Sequence, residues 1–426
     1  MTPRLTLNLG VRYDVDLNLY DQRNYALNTT AEVLRAIGNP YGGFPQTPTR
    51  DISPRVGVAY DLRGDGRRVV RGGYGLYFDQ FYAGARTDVM YQNHRPLGVF
   101  ATRTNTAIGV GELATYRYGI DPLPPAPRAT NTLPSGSTGV WMDPKLSDPY
   151  NHQVHVGYAH ELAPGTVLSV DFTHVVGRND FKGLDINPLV NGVRVLAPAL
   201  AKVYGDPNLL GPTDVIASVN KSRYDQLLIQ FQRRVPRATF QVHYTLSGAY
   251  AYGGVIGGGV GGTGPSARAQ DAFNIFAPGE WGPTSTDERH RVVAFGVFDL
   301  PYGIQFSPVF QAVSARPYTL TAGTDLNRDG LNNDRYIDPA TGQQVSVNSQ
   351  RGDPTTLLDL RATKFFALGG NQRVGLFAEF FNVFNKANFG QGYNGNARSA
   401  VFKQPTGFIT GIGYPRQLQL GARFLF

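Results

Sequence analysis

The richest local chemistry in the sequence lies at 325–334, DLNRDGLNND. Asp325, Asn327 and Asp329, followed by Gly330, fall at positions 1, 3, 5 and 6 of a calcium-loop spelling. Oxygens on alternate residues suit a hard cation, and the glycine permits a sharp turn. Position 12 of that spelling, ordinarily a bidentate glutamate, is Tyr336, so Asn333 or Asp334 would have to take its place. No flanking helices are expected, which makes this a loop site for a structural calcium and not an EF-hand. The competing reading is an Asx-rich external turn, in which the same side-chain oxygens accept from backbone amides.

Other candidate constellations carry less. GVGGTG at 259–264 spells G-x-G-x-x-G, but no helical pattern follows it, and a phosphate cradle needs that helix N-terminus. It reads as a flexible loop. His152, His155 and His160 lie along one strand, where His155 faces one side and the other two face the opposite side. Metal ligands must converge, and these do not. No G-x-S-x-G elbow, H-E-x-x-H or P-loop spelling is present, so the chain is not expected to be an enzyme and no cofactor is called for. Glu379, Asn382 and Asn385 in EFFNVFNK are spaced by three inside a strand-like stretch, which predicts a bulge at a rim that anchors a loop. Among the aromatics of the long connections, Tyr116, Tyr118, Trp141 and Trp281 are candidates to grip a sugar or peptide. The alternative is that they stitch the loops to one another.

The elements that must position these residues are strands. Leu5, Leu7, Leu9, Val11 and Tyr13 alternate with Thr6, Asn8, Gly10, Arg12 and Asp14, a period of two. The same alternation returns at Val154, Val156 and Tyr158, at Leu227, Ile229 and Phe231, and in about ten further stretches ending at Leu418, Leu420, Phe424 and Phe426. About twelve strands result, most roughly ten or more residues long, whereas soluble strands average about five or six. Nine to eleven residues are roughly what a membrane-spanning strand needs. Short turns at 62–67, 162–166, 235–238, 300–303 and 368–372 alternate with long connections at about 17–51, 80–149, 178–221, 253–286, 314–354 and 387–414. Such one-sided asymmetry predicts an all-β fold, an antiparallel transmembrane β-barrel with external loops. On that reading the last strand closes the barrel, its apolar face meets lipid, and Tyr13, Phe78, Tyr158, Phe298 and Phe426 belong to interfacial girdles.

Composition agrees and excludes other classes. Only 17% of the 426 residues are charged, 12% are aromatic, and Gly 51 and Pro 29 are abundant. With no cysteine, neither disulfides nor thiolate metal sites exist. The net charge of +8 comes from scattered Arg and Lys without a basic stripe, so no nucleic-acid role is expected. Phosphate-bearing lipid or an anionic solute accounts for it as well. No stretch reaches the roughly 18 to 20 apolar residues of a membrane helix, a criterion that says nothing about strands.

Several phrases resemble the C-terminal barrel of TonB-dependent outer-membrane receptors, of the Oar-like kind that carries a carboxypeptidase-regulatory-like domain. They are RLTLNLGVRYD (4–14), ISPRVGVAYDLRGDGRRVVRGGYGLYFDQ (52–80), HQVHVGYAHEL (152–162) and RYDQLLIQFQRRV (223–235). DERHRVVAFGVFDLPYGI (287–304), RPYTLTAGTDLNRDGLNNDR (316–335), LFAEFFNVFNKANFG (376–390) and the terminal LQLGARFLF continue the set in order. The resemblance implies a 22-stranded barrel around a plug, of which residues 1–426 supply the last twelve strands. The signal peptide, plug and TonB box of that family have no counterpart among these residues. The implied role is passage of an unspecified solute through a plugged lumen in the bacterial outer membrane. Implied partners are outer-membrane lipid and lipopolysaccharide, the barrel-assembly machinery through the C-terminal strand, and the TonB complex only through the missing N-terminal part. The residues themselves leave two alternatives open: a passive porin-like or structural barrel of twelve strands, and a soluble secreted carbohydrate-binding β protein.

Overall fold

The computed structural model describes residues 4–15, 26–79, 117, 120–122, 132–255, 268–370, 372–390, 392–409 and 413–426. Twelve strands follow one another in a single antiparallel sheet. They are β1 (Leu5–Asp14), β2 (Asp51–Asp61), β3 (Arg68–Phe78), β4 (Tyr150–Ala163), β5 (Thr166–Asp185) and β6 (Leu210–Val235), then β7 (Ala238–Tyr252), β8 (His290–Leu300), β9 (Ile304–Val313), β10 (Thr355–Gly369), β11 (Gln372–Phe381) and β12 (Gln417–Leu425). Along this path each pairs with its sequence neighbours, an up-and-down meander, and two short strands join β6 and β7 from outside it. The terminal strand β12 pairs with β11, and β1 with β2. β1 and β12 are not paired with each other, so the sheet is open among the described residues.

Every connection at one end is a tight turn with identifiable chemistry. After β2, the Asp61 carboxylate accepts from the amides of Gly64 (2.9 Å) and Gly66 (2.6 Å), folding RGDG back on itself. Between β4 and β5, Gly165 sits at φ +71°, where a Cβ would lie 2.3 Å from the Arg234 carbonyl oxygen. Only glycine fits there. Pro301–Gly303 turns β8 into β9, with Tyr302 at φ 63°. The long connections leave from the opposite end. One boundary differs: the expected connection 178–221 is largely strand, because β5 and β6 stay paired as far as Asp185 and Asp214. β6 has 26 residues, a reach on the order of 85 Å at about 3.3 Å each, more than twice what a tilted span requires.

The upper part of this hairpin carries the molecule's hydrophobic core. A short strand, Ser137–Met142, joins β6 in parallel, with Trp141 opposite Val215. Helix α1 (Thr29–Ala36) starts where the Asn28 side chain accepts from the Ala31 amide at 3.0 Å, and helix α2 (Ala197–Tyr204) ends on left-handed Gly205. Ala31, Val33, Leu34, Val140, Trp141, Met142, Leu200 and Leu210 pack together there. The strands below are the reverse: Leu9, Val11, Val156 and Leu420 are exposed along one face. In water such a face would be untenable, and in lipid it is the expected surface.

Candidate functional site: the lumen wall and the external cap

Opposite the apolar face, the alternate residues of each strand form a polar inner wall. Its central node is Asp171 on β5, whose Oδ1 accepts from Arg71 Nε (3.0 Å) and Nη2 (2.8 Å) on β3 and lies 3.2 Å from His155 Nε2 on β4. Gly157 lies between them, and a Cβ there would stand 2.0 Å from Asp171 Oδ1. The bare backbone is what lets this three-strand ion pair lie flat against the wall. Further round, Arg361 pairs with Glu379 at 3.1 Å and covers the Phe377 ring at 4.0 Å. Arg55 covers Tyr77 at 4.4 Å.

The wall is not polar throughout. On β8 the inward residues Val293, Phe295 and Val297 match the outward Val292, Ala294 and Phe298 in character. Phe295 stands opposite Val309 of β9, and both are exposed on the inner face. This inward apolar strip was hidden in the sequence because both faces of β8 are apolar, which removes the alternation signal.

At the external end, Asp287, with a fully buried side chain, receives Arg351 (2.5 Å), Arg289 (3.5 Å) and the Ala249 amide (2.9 Å). Next to it Glu288 bridges Arg291 (2.9 Å) and Arg316 (2.6 Å), at the edge of a cavity of about 190 Å³ also lined by Asp353 and Gln311. Tyr393 donates to Asp353 at 2.6 Å, and burial, with that carboxylate next, pushes its phenol up to about 12. Two ion pairs above the wall, Arg268 with Asp214 and Arg335 with Glu280, are almost wholly buried at 2.6 Å each. Buried carboxylates of this kind are held by arginine forks from distant loops, which makes the external part a cross-braced cap.

The sequence-predicted residues fall into place unevenly. Tyr116 and Tyr118 lie outside the described residues. Trp141 is fully buried, donates to the Gly43 carbonyl at 2.9 Å and meets Phe44 edge-on, so it stitches loops and is closed to any solute. Trp281 remains half-exposed, stacked on Tyr250 and edge-on to Tyr252. Asn382, at φ 48°, donates to the carbonyls of Lys386 and Tyr414, while Asn385 accepts from the Arg416 amide: they anchor the last long loop at the rim. Leu418, Leu420 and Phe424 stand on the outer face of β12, Phe426 follows it directly, and all four are exposed. Asp325, Asn327, Asp329, Asn333 and Asp334 do come together in one loop, at the junction of three external segments. Asp325 accepts from the Gly330 amide and Asp334 from that of Leu326.

Comparison with known proteins places this architecture. Residues 1–341 match the family described as outer membrane beta barrel domain. A curated relative, the TonB-dependent transporter Oar of Myxococcus xanthus, is 22% identical over 90% of this chain, which covers 34% of its length. Among solved structures, the outer membrane transporter YddB from Escherichia coli superposes with a TM-score of 0.54 at 12% identity, over 99% of this chain and 43% of that one. The ferric enterobactin receptor PfeA superposes at 0.50 and 11% identity, over 100% and 44%. At such identities these structures share the fold, and the chain spans well under half the length of each relative.

Proposed function

Because the chain belongs to the outer membrane beta-barrel family and so to the bacterial outer membrane, we propose that it forms the C-terminal wall and external cap of a TonB-dependent transporter. In that role it passes a solute through a lumen that is filled by a plug, with no covalent chemistry of its own. The observation that carries this reading is the apolar strip of Phe295, Val297 and Val309 on the inner face. A water-filled porin gains nothing from such a strip, whereas packed protein inside the lumen would cover it. Two facts support it further: both sheet edges are open among the described residues, and the chain covers only 34% of its transporter relative. An unpaired edge of this length needs further strands in a membrane, where every backbone amide must be satisfied.

Planar-bilayer conductance separates this from a passive barrel. The purified chain is expected to give no stable unitary steps by itself, since twelve strands alone leave an unsealed edge. Reproducible, long-lived single-channel steps would sink the proposal and support a self-closing porin.

A further inference from the structure

We propose that residues 325–334 bind calcium and that the ion clasps three external loops together. The loop has the backbone that such a site uses, with Arg328 at φ 61° and Gly330 at φ 94°. Asp325 Oδ1 accepts from the Asp329 amide (3.1 Å), Asn327 Oδ1 from the same amide (3.0 Å) and Asp329 Oδ1 from that of Leu331 (2.8 Å). These bonds alone would describe an Asx-rich turn and nothing more.

Asp334 is the residue that turn chemistry leaves unexplained. It is fully buried, and its Oδ2 accepts from the amides of Leu326 (2.5 Å) and Asn327 (3.2 Å), which seats the carboxylate on the loop. Its Oδ1 is buried with no hydrogen-bond partner, and so is Oδ1 of the adjacent Asn333. A buried carboxylate oxygen facing no donor is costly unless a cation meets it. The neighbouring arginines are committed elsewhere: Arg335 to Glu280, Arg268 to Asp214, and Arg194, beside Gly330, to the Asn187 carbonyl. Asp325, Asp329 and Asp334 therefore bring three formal negative charges to one loop.

Among the described residues, no group of three or more carboxylate or imidazole side chains is disposed to hold a metal by itself. The donor set must then include the amide oxygens of Asn327 and Asn333 and a peptide carbonyl. That mixture suits calcium, which takes about six to eight oxygens in flexible geometry, better than magnesium with its strict octahedron. The consequence lies in what the loop touches. The Asp329 carbonyl accepts from the Leu189 amide (2.8 Å) at the tip of the β5–β6 hairpin. Asn327 and Asn333 donate to the carbonyls of Gln270 (2.8 Å) and Ala269 (3.1 Å), in the connection before β8. An ion here would fix the relative positions of all three segments.

The test is limited proteolysis of the whole purified chain in detergent, in EGTA and across a calcium titration, with magnesium as control. Calcium is expected to slow cleavage within 268–289 and 325–335 with a midpoint of roughly 10⁻⁴–10⁻³ M, typical of external calcium modules. The slowing should reach about tenfold at ten times that midpoint, and magnesium should not reproduce it. Asp334→Asn is expected to abolish the calcium response while leaving resistance in EGTA equal to or above that of the unaltered chain, because it removes an unmet charge. Equal cleavage rates with and without calcium would overturn the proposal, as would a full calcium response in Asp334→Asn. If that variant does not assemble, the titration of the unaltered chain still decides.

Discussion

Leu9, Val11 and Leu420 of the wall are each more than 70% exposed, while Leu34, Val140 and Trp141 of the cap are wholly buried. The same residue types do opposite things in the two regions. The difference lies in the solvent each region meets. A strand in lipid satisfies its backbone through its neighbours and turns its apolar side chains outward, so the wall needs no hydrophobic core. The cap stands in water, where apolar side chains must cover one another, and it builds an ordinary core from two helices, a parallel strand and the overhang of β5 and β6. β6 belongs to both regimes. Its residues 210–220 are mostly buried, and from about 221 to 235 it becomes half-exposed on both sides.

That contrast can be broken from either side. Trp141→Ala empties the centre of the cap core, and large aromatic truncations cost about 3–5 kcal/mol. We expect the cap to become protease-sensitive while the strands keep the far-UV circular dichroism signal of the folded sheet. Loss of both together would mean that wall and cap are one cooperative unit. The converse change is Val156→Arg, on the outer face of β4. An arginine on the lipid face costs about 2–4 kcal/mol at the bilayer midplane and much less near an interface. Urea unfolding in lipid vesicles should show that loss, and unfolding in a loose detergent micelle should show much less of it.

The wall was legible in the sequence and the cap was not, for the same physical reason. Alternation such as Leu5, Leu7, Leu9 and Val11 is imposed by having lipid on one side and polar lumen on the other, so it prints itself on the residues. Five short turns were also readable, because Gly165 and the RGDG after Asp61 are there for conformational necessity. The cap core is assembled from segments distant in the chain, Leu34 with Val140 and Leu200, and no local period records that. Two signals were available nonetheless. Asn28 before TTAEVLRA with Gly38 after it, and APALAKVY before Gly205, are cap-and-stop patterns inside what otherwise reads as loop. For the candidate sites, the 325–334 spelling was visible, whereas the burial of Asp334 and Trp141 depends on tertiary contacts that a single sequence does not state.

A smaller effect tests whether the lumen wall is held by its own ion pairs. Asp171→Ala leaves Arg71 and His155 without their shared acceptor, and stranded polar groups at a half-buried position cost about 1–3 kcal/mol. The cap, whose core begins at Phe181 further along β5, should keep its protease resistance. Gly157→Ala should reproduce part of the loss without removing any charge, because its Cβ would enter the space Asp171 Oδ1 occupies. If Gly157→Ala is silent while Asp171→Ala is costly, the node is electrostatic and tolerates displacement; if both are silent, the wall is held by its backbone ladder alone.

The smallest expected change is one of pH, and it sharpens the distinction because only the cap should respond. Asp329, in the external loop, has its carboxyl raised above the ordinary value of 3.8, chiefly by burial. A carboxyl raised on folding binds its proton more tightly in the folded form. Its contribution therefore favours the folded cap at low pH and fades as pH climbs from 3.8 through the raised value. In EGTA, then, cleavage within 325–335 should quicken as pH rises above about 4 once the protease's own pH profile is divided out. Calcium competes with protons for the same oxygens, so in its presence the slope should reverse and resistance should grow as pH rises. The β-sheet circular dichroism signal of the wall should stay flat throughout. A cap whose resistance in EGTA rises with pH would mean that Asp329 gains more from its partners, the Leu331 amide and Asn327, than it loses to burial.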